Sequence, residues 1–202
     1  MAKYEIVSGE GEHQPGAEDG VLRNIPGITS RGDITAAETE LLESLYIDIL
    51  ADLPETISFG NIRSWHRVWL GNLYYWAGEL RSVNMSKGDF HFAAANQLPK
   101  LVAEFEQTYL VQFKSLPEME IEALVLHLAA THVEFILIHP FREGNGRLSR
   151  LLMNAQLIRA GFDLMDYQRW DDNREFYFKA IQAGVAGDYS HIARLVRDSL
   201  AD

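Results

Sequence analysis

There is no cysteine anywhere in the 202 residues. That excludes disulfides and thiolate-bound metal, and it leans the chain towards a reducing compartment. Cations are also in short supply: 18 Lys and Arg stand against 29 Asp and Glu, for a formal charge of −11. Such a surface repels nucleic acid unless its cations gather on one face, so no nucleic-acid partner is expected. The first residues, "MAKYEIVSGEGEHQPG", carry no apolar run of signal-peptide length, and no later segment reads as long enough to span a bilayer. The expectation is a soluble, cytoplasmic chain with no membrane partner. What is present is 47% hydrophobic and 11% aromatic residues, enough at this length to bury one core without staples.

Residues 1–33 read as an N-terminal arm, with glycine, proline and acidic residues but no period, and residues 34–202 as a single domain. Thr35 reads as an N-cap before a helix with Ala37, Leu41, Leu42, Leu45, Ile49 and Leu50 at helical spacing, ended by Pro54. Further helices are expected over 61–76, 97–113, 118–138, 147–160, 173–183 and 189–200. Two short extended runs around Ser86-Lys87-Gly88-Asp89 have the signature of a hairpin. The fold class is therefore all-α with one small β-hairpin.

One stretch interrupts this helical text. "IHPFREGNGRLSR", residues 138–150, puts a charged, glycine-rich turn between two apolar helices. His139 closes the first helix, where the partial negative charge of the helix end favours imidazolium. A histidine ionising near neutrality suits proton abstraction from a hydroxyl, or else it simply caps the helix. Gly144-Asn145-Gly146 opens the next helix, and free amides at a helix N-terminus bind anions. Arg147 and Arg150, three apart, lie on one face beside that nest and suit phosphate oxygens, or else pair with surface carboxylates. Glu143 can hold Mg²⁺ next to a phosphate, or form a salt bridge. Phe141, between polar neighbours, is expected to turn inward and anchor the loop. These are the parts of nucleotidyl or phosphoryl transfer, without the P-loop pattern or the kinase loops.

The stretch resembles the signature of the Fic family, His-x-Phe-x-(Asp/Glu)-Gly-Asn-Gly-Arg-x-x-Arg, at every defined position from His139 to Arg150. The resemblance implies a Fic fold, a single-domain helical bundle with a β-hairpin flap. It also implies transfer of AMP from ATP to a Ser, Thr or Tyr hydroxyl of a target protein. His139 would deprotonate that hydroxyl and Glu143 would bind Mg²⁺. Gly144, Asn145 and Gly146 would hold phosphate oxygens, and Arg147 and Arg150 would stabilise the β- and γ-phosphates. Asn154 and Tyr177 lie where family members contact the nucleoside. The flap, with Ser86, Lys87, Gly88, Asp89 and Phe90, would dock an extended target segment by strand addition. Gly146 keeps the glycine that the family's kinase-like members alter, which favours AMP transfer.

Many such enzymes are silenced by a helix carrying Ser/Thr-x-x-x-Glu-Gly/Asn. Here Thr39-x-x-x-Glu43 runs on to Ser44, and Ser8-x-x-x-Glu12 runs on to His13, so neither fits. By resemblance, the expectation is a toxin inhibited in trans by a small antitoxin, with type II topoisomerases among the family's targets. A nucleotide-binding module without transfer activity, and a Fic enzyme using another nucleotide donor, remain the rival readings. His127, His132 and His139 lack the spacing of a zinc site on one helix, so no transition metal is expected.

Overall fold

A computed structural model describes residues 12–200 and the backbone of Glu5 and Ile6. Residues 1–4 and 7–11, with Ser8 of the weak inhibitory match, lie outside the described residues, as do 201 and 202. Helix α1 spans Arg31–Ala51 and starts on Ser30, whose hydroxyl accepts from the Asp33 amide, about a turn before the expected cap at Thr35. Ser30 is extended and offers an oxygen where the first helical amides lack partners, so the cap outranks the first apolar repeat. Helix α2, Phe59–Leu70, begins with a reciprocal cap between Ser58 and Asn61.

The expected continuation of α2 to residue 76 does not occur. Gly71 and Asn72 are poor helix formers, and the chain instead folds into turns in which Leu73 and Tyr74 bond back to the Leu70 carbonyl. The hairpin is present, with β2 at Met85–Lys87 and β3 at Phe90–His91. Ser86 and Lys87 belong to the strand, so the turn is Gly88-Asp89, with Gly88 left-handed as two-residue hairpins require. A third strand, β1 at Glu5–Ile6, lies in the arm and pairs antiparallel with β2.

Helix α3 covers Leu98–Thr108, and a 3₁₀ segment at Leu110–Glu118 carries Pro117, so the single helix expected over 97–113 is two elements. Then come α4 (Ile121–Ile138), α5 (Asn145–Ala160), α6 (Gln168–Asp172), α7 (Arg174–Ala183) and α8 (Ser190–Leu200). The five-residue α6 is too short to leave a period in the sequence. Helix α4 is the spine, packed by α3, α5, α7 and α8, with Leu124, Val125, Leu128, Val133 and Phe135 buried. Ile121, in its first turn, is 45% exposed.

By length and apolar composition alone, α4 is long enough to cross a bilayer, against the expectation that no segment would be. Two thirds of it is buried inside the protein, as in the core helix of a globular domain. Residues 12–30 lie against this body without regular elements beyond one bridge, His13 to Leu22. Val21 is buried in the core, and the Ile25 amide bonds the Leu73 carbonyl.

Candidate active site

Between α4 and α5 the chain reverses through residues 139–144. His139 is the C-cap of α4 with φ 51°, the one non-glycine residue with positive φ among those described. Such a conformation costs about 1–2 kcal/mol for an L-residue, so something must hold it. Arg81 does. Its buried guanidinium donates to the carbonyls of His139 at 2.6 Å and Ile138 at 3.2 Å, and to those of Val83 and Ala93 at 2.5 Å each. Burial pulls its pKa down to about 10, still charged at neutral pH. The helix end that carries the histidine and the base of the flap are thus tied by one side chain.

The His139 ring is buried, stacks on Phe92 with centroids 3.8 Å apart, and has Nδ1 3.2 Å from the Ile136 carbonyl. A carbonyl only accepts, so that contact puts a proton on Nδ1, and in the neutral ring the lone pair is on Nε2.

Beneath the loop sits a histidine that the sequence reading passed over. His66 Nδ1 accepts the Gly78 amide at 2.7 Å, so its Nε2–H donates to the Glu143 carbonyl at 3.1 Å. Burial lowers its pKa to about 4, which keeps it neutral. Its ring stacks on Phe141, centroids 4.1 Å apart and planes 9° apart, and Phe141 is fully buried as the expected anchor.

Asn145 uses its side chain within the loop. Its side chain accepts the Phe141 amide at 2.9 Å and donates to the Phe141 carbonyl at 2.7 Å, closing the loop on itself. The carboxamide is fully buried in this bracket and does not line the cleft, so the group of Asn145 left to a phosphate is its main-chain amide at the start of α5. Gly144 is left-handed, and a Cβ there would lie 2.6 Å from the Trp69 ring, so only glycine fits.

Both motif arginines reach carboxylates of this chain. Arg147 pairs with Glu38 at 2.7 Å and lies 3.5 Å from Glu143, whose Oε1 also accepts the Gly144 amide at 2.9 Å. Glu38, buried on α1, accepts the Tyr74 hydroxyl at 2.7 Å as well. Arg150 forks onto Asp171 of α6 at 2.7 and 3.0 Å, and the guanidinium's hydrogen bonds hold that carboxyl below the usual range. Asp171 stands outside any inhibitory-helix pattern, so the sequence gives no sign that it partners Arg150. Glu43 is exposed on α1, and Glu12 pairs with Arg23.

A cleft of about 320 Å³ opens over this loop. His139, Glu143, Gly144, Gly146, Arg147 and Arg150 line one side. Lys87 and Phe92 come from the flap, and Asp171, Arg174 and Tyr177 close the other end. A second pocket of about 300 Å³ adjoins it, with Gly88, Phe90, Phe92, Phe178 and Ile181.

Of the two expected nucleoside residues, Tyr177 is on the cleft wall, its hydroxyl 2.8 Å from His132 Nε2. Asn154 is not. Its buried Oδ1 accepts the Met165 amide at 3.0 Å and so ties down the loop after α5, which is why it is unavailable to a ligand. In the flap, Lys87, Gly88 and Phe90 face one pocket or the other, whereas Ser86 is buried and Asp89 lines neither.

Residues 56–157 match the profile of the Fic/DOC family. The chain belongs to this family. Over 182 residues it is 27% identical to "Probable protein adenylyltransferase y4lH" of Sinorhizobium fredii, covering 88% of this chain and 90% of that protein. Over 148 residues it is 34% identical to "Protein adenylyltransferase Fic" of Nematostella vectensis, 73% of this chain but only 33% of that longer relative. The fold superposes on the BepC effector protein of Bartonella tribocorum, solved with bound AMPPNP, at TM-score 0.74 and 20% identity, covering 95% of this chain and 98% of that one. The Fic architecture expected from the loop is therefore the fold observed.

Proposed function

We propose that this Fic-family chain is a protein adenylyltransferase, moving AMP from ATP to a side-chain hydroxyl of another protein. The observation that carries this reading is the placement of His139. Its lone-pair nitrogen belongs to a residue on the cleft wall, beside a helix N-terminus and two arginines that form an anion site. A bare anion site would need no base there.

In the proposed step the acceptor hydroxyl gives its proton to His139 Nε2 as its oxygen bonds the α-phosphorus. The bond from that phosphorus to the β-bridging oxygen breaks, and pyrophosphate leaves. Charge gathering on the leaving group faces Arg147, Arg150 and the unbonded amides of the first turn of α5. Arg150 must release or share its fork with Asp171 to take a terminal phosphate, because both of its terminal nitrogens are engaged there.

The residues present fit Mg²⁺. Glu143 supplies one hard oxygen donor on the cleft wall, and no group of three or more His, Asp or Glu metal ligands occurs among the described residues. An ion held by one carboxylate and completed by phosphate and water is the usual arrangement for Mg²⁺, which would neutralise phosphate charge. Tyr177 and the adjoining pocket, with Phe90 and Phe178, offer aromatic surface to the nucleoside. The related BepC structure with bound AMPPNP supports a nucleoside triphosphate as the ligand. Control in trans by a small antitoxin is the matching proposal for regulation, supported by the poor fit of Glu43 and Glu12 to a role on Arg150.

The test is to incubate the pure protein with Mg²⁺, a cell lysate and ATP labelled at either the α- or the γ-phosphate. Label carried onto protein from the α-position alone is the expected result. Transfer of the γ-label would make it a kinase, and no transfer of either would leave a binding module.

A further inference from the structure

The three-stranded sheet of the flap raises a question that the hairpin alone would not. Its order is β1-β2-β3, so the strand nearest the cleft mouth, β2 with Lys87, is the middle one. Its outer neighbour is the chain's own Glu5–Ile6, with Glu5 opposite Ser86 and Ile6 opposite Met85. Antiparallel pairing alternates the side to which each residue turns its main chain. Phe92 donates its amide to the Met85 carbonyl at 3.1 Å, so Met85 faces β3. Ser86, the next residue, therefore turns its amide and carbonyl outward, to Glu5.

The opposite edge of the sheet runs into the body of the protein. Just beyond β3, the Ala93 amide bonds the Leu137 carbonyl at 3.2 Å, and Arg81 holds the Ala93 carbonyl at 2.5 Å. By the same alternation β3 turns only His91 outward before the chain joins the body at Ala93, whereas β2 carries Lys87 of the cleft lining and turns Ser86 outward, and β1 is already on that edge. Each main-chain donor and acceptor serves one strand at a time.

We infer that the N-terminal arm is a built-in occupant of the flap's docking edge, which an extended acceptor segment must displace before its hydroxyl reaches His139. The inference rests on the adenylyltransferase reading for what the edge is used for, but not for the occupancy itself. The occupant is suited to exchange. Two residues of pairing make a marginal strand on their own, and the contact is to main chain, so it selects an extended shape more than a sequence.

The experiment uses the full chain with two single substitutions. Glu5→Pro removes the amide that bonds the Ser86 carbonyl, one of the two main-chain bonds of that pair, and so weakens a pairing only two residues long, while Glu5→Ala keeps that amide. Hydrogen exchange at the Ser86 amide reads occupancy without any chemistry. It is expected to speed up about tenfold in Glu5→Pro, to stay at the wild-type rate in Glu5→Ala, and to slow again when a synthetic peptide of residues 2–9 is added. Labelling of lysate proteins from α-labelled ATP reads the consequence. It is expected to rise about threefold in Glu5→Pro and to fall back with the peptide, with ATP affinity unchanged.

Equal Ser86 exchange in wild type and Glu5→Pro would overturn the inference, whatever the enzyme's activity. Faster exchange with unchanged or reduced labelling would overturn the competition. Faster exchange and peptide rescue with no label transferred by any variant would support occupancy and place the failure on the proposed activity instead.

Discussion

The cleft has two walls, and they are held by different means. On the wall formed by residues 139–150, side chains clamp main chain from beneath: Asn145 brackets Phe141, His66 holds the Glu143 carbonyl, and Arg81 holds those of His139 and Ile138. On the flap wall, β2 and β3 contribute five residues around a Gly88-Asp89 turn, and one edge is covered by two residues of the arm. A group that must take a proton from a bound hydroxyl needs a fixed address, since small misplacements are costly in rate. A surface that must accept unrelated extended segments gains from an edge that opens. The difference in construction matches the division of labour that the proposed function asks of the two walls.

Arg81 belongs to both walls, so removing it tests the contrast most severely. Arg81→Met leaves four main-chain carbonyls to find new partners, each worth about 1 kcal/mol or more when buried. We expect a loss of about 3 kcal/mol in urea unfolding, together with loss of transfer, because both the left-handed His139 and the flap base come loose. Unchanged transfer in that variant would show that the flap and the histidine are positioned independently.

Acid should act on the loop wall and core before the flap. His66 and His127 are lowered to about 4 and His132 to about 3, each by burial first, from an ordinary value of 6.5. Between pH 6.5 and about 4, the unfolded chain binds protons that the folded chain refuses. Stability is therefore full above about 6.5 and declines as pH falls, by up to about 1.4 kcal/mol per pH unit for each histidine. His66→Gln should flatten part of that slope in unfolding measured from pH 7 to 5. An identical slope would mean that His66 is not held neutral in the fold.

How much of this was legible from sequence depends on distance along the chain. The loop at 139–150 is contiguous, so the proposed base, the glycine nest, Glu143 and both arginines are readable together, and His139, Glu143, Gly144, Gly146, Arg147 and Arg150 all line the cleft. The supports came from elsewhere. Glu38, His66, Arg81 and Asp171 reach the loop from α1, α2, the segment before the flap and α6, and each looks in sequence like an ordinary charged or polar residue. Glu38 did leave a signal, since it follows Ile34 by four on the buried stripe of α1.

The side chains of Asn145 and Asn154 do not line the cleft, and an amide that satisfies main chain cannot be told by residue type from one that faces a ligand. Strand β1 was hidden because two residues cannot show a period.

The central claim is that the loop wall separates binding from chemistry, with His139 serving only the second. Measuring ATP affinity by calorimetry and AMP transfer from α-labelled ATP on the same His139→Ala protein tests it directly. The account predicts affinity within about threefold of wild type and transfer reduced by about 10²-fold or more. Transfer that survives in His139→Ala at near wild-type rate would contradict it.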